Sequence, residues 1–290
     1  MKKTAKNYND LNTVFILNYK RKRIFTIETL EKIGYDGDIV IILQDTDPYI
    51  DYIKETYSKY DIEVINRDEA ITPERSMDNF TDTKCVYPNR NISRELAEKR
   101  GLTRYWLFDD DYTRFAYKTS KGKTKVINKA ETLKALFSAI SEFGYKTNAA
   151  NVGFVQAVAN YGKYDIRKKV YNFHNLPASK DLFLEFRGRT NEDMVQGIDG
   201  AMKGKLVLGF TNVRGLAKPP EEQTGGLTEI YSQDGQYNKS YYAILAHPGI
   251  STISKQVTTL TRYYHRVNLS KIAPKIVPAK YKKEVGSNVV

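Results

Sequence analysis

The sequence predicts an α/β fold: a single Rossmann-like domain whose mostly parallel sheet is flanked by helices. Three observations lead there. Through the first half of the chain, apolar runs of strand length alternate with amphipathic stretches of helix length, the pattern of strand–helix–strand units. At 290 residues the chain can bury one substantial core. The run Arg104–Phe108 also leads straight into Asp109-Asp110-Asp111, which puts polar groups at the strand end where α/β sheets bind ligands.

Taken in order, Thr13–Leu17 (TVFIL) has strand length, and Arg23–Ile33 is amphipathic and stops at Gly34. Asp38–Leu43 (DIVIIL) is the next strand, closed by the turn-forming Asp45-Thr46-Asp47-Pro48. A helix over Tyr49–Tyr60 and a short strand over Ile62–Ile65 follow. Asn91–Arg100 reads as a helix, with Ile92 and Leu96 on one face and Gly101 as its stop. Beyond the aspartates, Lys118–Lys129 predicts an exposed basic loop or hairpin, and Ala130–Phe143 a helix. Val152–Ala159, Val170–Phe173 and Leu182–Phe186 predict strands, Asn191–Met202 a helix and Leu206–Phe210 a strand. Pro219-Pro220 and Gly225-Gly226 mark a loop region. Tyr241–Ala246 predicts a further strand, ending at His247-Pro248-Gly249. The domain is expected to cover residues 1–270, with 271–290 a basic, proline-punctuated tail.

Composition narrows the function classes. No apolar run approaches the roughly 20 residues that cross a bilayer, so no membrane partner is expected. Thr4–Asn12 is polar where a signal peptide would be apolar, and Cys85 is the only cysteine, which rules out an internal disulfide. The expected compartment is the cytoplasm. Oligomeric state is not readable. The 46 Lys+Arg against 34 Asp+Glu give a net charge of +12, and the excess is clustered at Lys20–Arg23, Lys118–Lys129 and Lys271–Lys283. Such clusters suit a polyanion such as nucleic acid, because neutralised phosphates release counterions. They also serve simple solubility.

The aspartate run carries the chemistry. Side chains alternate along an extended segment, so Asp109 and Asp111 point one way and Asp110 the other. Two converging carboxylates form a hard oxygen site for Mg²⁺ or Mn²⁺, which could bind a diphosphate in turn. An acidic loop after a core strand, or a nuclease or phosphatase site, would read the same.

Pro88-Asn89-Arg90-Asn91-Ile92, then Ala97, Gly101 and Trp106-Leu107-Phe108-Asp109-Asp110-Asp111, resemble the central block of GT-A glycosyltransferases. In that block an Arg-Asn pair opens a helix, a glycine follows, and an apolar strand ends in DxD. Lys20–Arg23, Gln44-Asp45 and Thr190-Asn191-Glu192-Asp193 fit the same family in order and spacing, so the resemblance covers about residues 13–200. It implies a GT-A-like fold and a nucleotide-sugar donor. Asp111 would be the direct metal ligand, with Asp109 near the ribose and Asp110 beside it. Arg90 would approach the base or phosphates, with Arg94 in its place if the register differs by one turn. Asp193, or else Glu192, would be the general base of an inverting transfer. The competing reading of this acidic pair is stabilisation of the helix N-terminus, with Asn191 as N-cap. His247 is a candidate further metal ligand; His174 and His265 rank below it as lone, structural histidines.

Basicity together with the Asn-Arg-Asn, Asp-Asp-Asp and Asn-Glu-Asp blocks resembles the TET/JBP-associated glycosyltransferases, largely phage enzymes. That resemblance implies UDP-glucose as donor and a hydroxymethylpyrimidine in DNA as acceptor. A protein or glycan acceptor, and a DNA-binding module without catalysis, are the other readings.

Overall fold

The computed structural model describes residues 11–67, 71–78, 85–119, 123–154, 164–165, 170, 173–211, 213–217, 237–257 and 261–272. Its core is an eight-stranded sheet of order β3-β2-β1-β4-β9-β7-β10-β8. The strands are β1 (Val14–Leu17), β2 (Ile39–Gln44), β3 (Asp61–Ile65), β4 (Arg104–Asp109), β7 (Asn151–Phe154), β8 (Tyr164–Asp165), β9 (Phe173–Pro177) and β10 (Val207–Phe210). β3, β2, β1 and β4 run parallel, β9 is antiparallel to both β4 and β7, and β7 and β10 run parallel. The mostly parallel α/β sheet expected from the sequence is therefore present. β5 (Tyr112–Lys118), β6 (Thr124–Val126) and β11 (Val213–Ala217) form a second, antiparallel sheet, and β12 (Ser251–Val257) and β13 (Thr261–Val267) form a two-stranded ribbon. The helices are α1 (Phe25–Lys32), α2 (Ile50–Thr56), α3 (Pro73–Ser76), α4 (Tyr87–Lys99), α5 (Ala130–Lys146), α6 (Glu192–Met202), α7 (Tyr237–Ala246) and α8 (Leu269–Ile272).

β4 shows how the sequence builds the core. Its residues are buried on both faces, as a covered parallel strand requires. Trp106 and Phe108 face one side, where Trp106 stacks on Phe137 of α5 at 4.3 Å and on Phe154 at 5.3 Å. Tyr105 and Leu107 face the other, among Tyr87, Leu96 and Ala97 of α4. Arg104, 1% exposed, donates to Asn175 Oδ1, Asn175 O and Ala149 O at 2.7–2.8 Å. With no acid beside it, burial draws its guanidinium down to about 9.

Two expectations are corrected. Tyr241–Ala246 lies within helix α7, not in a strand. Ser240, Ala243 and His247 are buried at helical spacing while Tyr241 and Leu245 are exposed, a periodicity that a six-residue apolar run cannot reveal. Leu182–Phe186 buries Phe183, Leu184 and Phe186 but joins no sheet, because side chains satisfy its backbone. Asn91 brackets Phe186 N and O at 2.8 and 2.9 Å, and Gln196 Nε2 donates to Leu184 O at 2.8 Å. Other bounds move: α4 begins at Tyr87, with Pro88 in its first turn, and the strand expected over Val170–Phe173 is formed by Phe173–Pro177. The basic stretch Lys118–Lys129 begins at the last residue of β5 and includes β6, which pairs antiparallel with β5. Pro219-Pro220, Gly225-Gly226 and the tail beyond Ile272 lie outside the described residues.

Candidate active site

Register brings the expected residues to one edge of the sheet. β1 pairs with β4 so that Leu17 lies beside Asp109, and with β2 so that Leu17 also lies beside Ile42. Asn18, Tyr19, Gln44, Asp45 and the three aspartates therefore leave the sheet together at its carboxyl end. The start of α1 fixes the backbone there. Thr26 Oγ1 donates to Asp109 O at 2.6 Å and accepts from Tyr112 N at 3.0 Å, Thr26 N donates to Asp110 O at 3.1 Å, and Thr29 Oγ1 donates to Tyr112 O at 2.8 Å.

The three aspartates divide as alternation requires. Asp110 turns inward, is 5% exposed and pairs with Arg21; burial raises its carboxyl to about 7 against the pull of that arginine. Its contact within the protein is an internal ion pair. In the basic run Lys20–Arg23, Arg23 makes an exposed pair with Glu28 at 2.5 Å. Asp109, with 27% of its side chain exposed, meets Arg90 Nη2 at 3.3 Å. Burial lifts Asp109 to about 6; Arg90 opposes the rise and the nearby Asp111 adds to it. A carboxylate that a neighbouring carboxylate raises in this way fits a divalent cation shared by the two, although among the described residues no group of three or more His, Cys, Asp or Glu could hold a metal.

Arg90 is the hub. It is 4% exposed, its Nε lies 3.1 Å from Glu192 Oε1, and its guanidinium stands over Phe186 at 5.5 Å. One arginine thus ties the end of β4 to the start of α6. Arg94, the substitute considered from register, is held by Glu98 at 2.6 Å and Glu95 at 3.4 Å. Glu192 is 5% exposed, and burial raises its carboxyl against the pull of Arg90. Asp193 is partly exposed, and its charge acts on both Asp109 and Arg90. Asn191 does occupy the N-cap position, but at φ 61 its side chain makes no capping bond; its Nδ2 meets His265 Nδ1 at 3.2 Å.

The histidines are engaged elsewhere. His174 meets Asn151 at 2.8 Å in the core. His247 Nε2 lies 2.7 Å from Asp199 Oδ1, and Arg187 binds the same carboxylate at 2.7 and 2.8 Å. Among the described residues no hydrogen bond or ion pair joins His247 to Asp109 or Asp111, so its hydrogen bonding makes it a clasp between α6 and α7. Burial acts to raise Asp199, but hydrogen bonds from Arg187 and His247 outweigh it and hold the carboxyl at about 2. Because the folded value lies below the unfolded one, the clasp stabilises above pH 4 and its contribution is lost as pH falls toward 2. Asp199→Asn is expected to lower stability by about 2–3 kcal/mol at pH 7 and by about half as much at pH 3. Denaturant midpoints at the two pH values check this; a penalty equal at both would show that the ionised carboxylate is not what stabilises.

Sequence reading missed several polar groups at this edge. Asn18 Oδ1, Gln44 Oε1, Arg67 Nε and Arg90 Nη1 are buried without a hydrogen-bond partner among the described residues. Isolated buried groups of this kind are uncommon, and four at the ends of β1, β2 and β3 and the start of α4 point to a polar ligand. Arg67 follows β3 by two residues; nothing local marks it, since only the fold brings it beside Tyr19, whose hydroxyl it reaches at 3.1 Å.

A family model described as TET-Associated Glycosyltransferase matches residues 12–226, well over half of the chain. The chain belongs to the TET-associated glycosyltransferases. This TET-associated glycosyltransferase also shows a distant likeness to solved structures. One is described as a nucleotide-diphospho-sugar transferase from Desulfovibrio desulfuricans G20: 9% identity, 81% of this chain and 93% of that chain covered, TM-score 0.42. Another is a UDP-glucose pyrophosphorylase variant from Leishmania major in complex with UDP-glucose: 10% identity, 93% and 62% covered, TM-score 0.28. Likeness this remote says nothing about substrate. A comparison with curated proteins found no match. No helix among the described residues is long and apolar enough to cross a membrane.

Proposed function

We propose that this glycosyltransferase moves a hexose from a UDP-sugar, UDP-glucose first, to the hydroxymethyl group of a pyrimidine in DNA, as a phage DNA-modification enzyme would. The observation that carries the donor half is the Asp109–Arg90–Glu192 chain of charge at the end of β4. Asn18, Gln44, Arg67 and Arg90 offer hydrogen bonds to a nucleotide, and Asp109 and Asp111 would hold Mn²⁺ or Mg²⁺. Such an ion would take its other ligands from phosphate and water and stabilise the diphosphate leaving group. Arg90 pairs with Glu192 and holds it in place, which leaves the more exposed Asp193 to accept the acceptor's proton.

The acceptor half is supported by the net charge of +12 and by the basic β5–β6 hairpin, which begins just beyond Asp111 and exposes Lys123 and Lys125. Lysines there would hold phosphates as point charges without reading sequence. Neutralising Lys121, Lys123 and Lys125 together is expected to flatten the slope of log affinity against log salt, by about 0.9 for each phosphate that is no longer neutralised. An unchanged slope would remove the hairpin from the interface. The reading as a whole is tested by mass spectrometry of nucleosides from hydroxymethylated and unmodified duplexes of one sequence, incubated with protein, nucleotide sugars and Mn²⁺. A hexose on hydroxymethylpyrimidine alone is the expected product. Equal labelling of both duplexes, or labelling only of a protein or glycan, would overturn the DNA assignment.

A further inference from the structure

The C-terminal part of the chain has a charge pattern that the donor site does not use. Between Gly235 and Lys283 there is no Asp or Glu, while nine Lys and Arg occur. The whole of this segment lies beyond residues 12–226, the range that carries the family match. Its described centre is the β12–β13 ribbon.

The ribbon has two unlike faces. Register pairs Ser251 with Val267, Ile253 with His265 and Lys255 with Tyr263 on one face, and Thr252 with Arg266, Ser254 with Tyr264 and Gln256 with Arg262 on the other. The first face is anchored at its foot: Ser251 and His265 are 4% and 3% exposed. His265 meets Asn191, the residue before Glu192, and Ser240 Oγ of α7 donates to Tyr263 O at 3.2 Å. The second face carries polar residue types throughout. Thr252 and Arg266 are exposed on it, and Arg266 makes no ion pair among the described residues. An antiparallel strand rises about 3.4 Å per residue, so the backbone positions of Arg262 and Arg266 stand about 14 Å apart with Tyr264 between them. The major groove of B-DNA is roughly 12 Å wide and admits a two-stranded ribbon.

We infer that the outer face of the β12–β13 ribbon is a duplex-DNA clamp that neutralises phosphates along one major groove, through Arg266 and through the arginine at register position 262. The inference rests on the DNA reading above and adds the surface that would grip the acceptor. Charge complementarity names the occupant, since a face with two arginines in an acid-free segment attracts a polyanion. The foot of the ribbon, bonded to Asn191, couples that grip to the helix start that carries Asp193. A hydroxymethyl group already projects into the major groove, so a ribbon lying there holds the duplex by the face on which the acceptor hydroxyl stands.

The test is the salt dependence of binding to a labelled 20-base-pair hydroxymethylated duplex, for the wild-type chain, Arg262→Gln/Arg266→Gln and Arg266→Gln alone. The double variant is expected to lower the slope by about 1.8 and the single variant by about 0.9, with unchanged thermal midpoints. Because Arg266 is exposed, the single variant supplies the answer if the double one does not fold. Wild-type slopes in both variants would overturn the ribbon clamp and leave the DNA reading standing. No binding of any duplex by wild type, with RNA or an acidic polysaccharide bound instead, would overturn both.

Discussion

Asp111→Asn is expected to abolish sugar transfer while leaving the fold nearly intact. The carboxylate lies two residues beyond the end of β4, on the same side as Asp109 by strand alternation. The backbone that presents it is held by the start of α1 through Thr26 and Thr29. An amide in its place keeps the shape and removes the charge that a hard cation and a donor diphosphate need. Because Asp111 is only partly buried at a strand end, the stability change should stay within about 1 kcal/mol. Transfer assays with Mn²⁺ and with excess chelator, run beside a thermal melt, check both halves. Full activity in the variant, or in wild type with chelator, would remove Asp111 and the metal from the reaction.

Much of this geometry was legible in the sequence because it is local. A strand ending in alternating aspartates dictates which carboxylates share a face, and the structure separates Asp110 from Asp109 as that rule requires. Parallel strands buried on both faces wrote themselves as apolar runs at β1, β2 and β4. What stayed hidden depended on distant partners. Arg90 and Arg94 look alike in sequence and one helical turn separates them; only the tertiary fold, which brings the start of α6 to Arg90, decides that Arg90 reaches Glu192. The hydrogen bond of His247 could not be read from sequence because its partner Asp199 lies 48 residues away. Tyr241–Ala246 was ambiguous for another reason, since six apolar residues fit either period until burial against α6 and β13 selects the helix.

The same contrast sets the second large effect. Asp193→Ala is expected to slow transfer by about 10²–10⁴-fold, the usual loss on removing a general base. Nucleotide-sugar affinity should change little. Glu192 and Asp193 are adjacent at the start of α6, and both stabilise a helix N-terminus, so helix stability alone does not separate them. Their surroundings do. Glu192 is buried and held 3.1 Å from Arg90, so a proton taken up there would break an internal ion pair. Asp193 is partly exposed, and its Oδ1 accepts from Met194 N at 2.7 Å, a bond that holds the carboxylate in place. Glu192→Gln should therefore fail differently, by loosening Arg90 and weakening donor binding, so that KM for the nucleotide sugar rises more than kcat falls. Steady-state kinetics with donor and acceptor varied in turn separate the two outcomes. A dead Glu192→Gln enzyme with unchanged donor affinity, beside a normal Asp193→Ala enzyme, would exchange the roles. Two active variants would show that the acceptor hydroxyl is deprotonated by neither residue, and the inverting reading would fall with them.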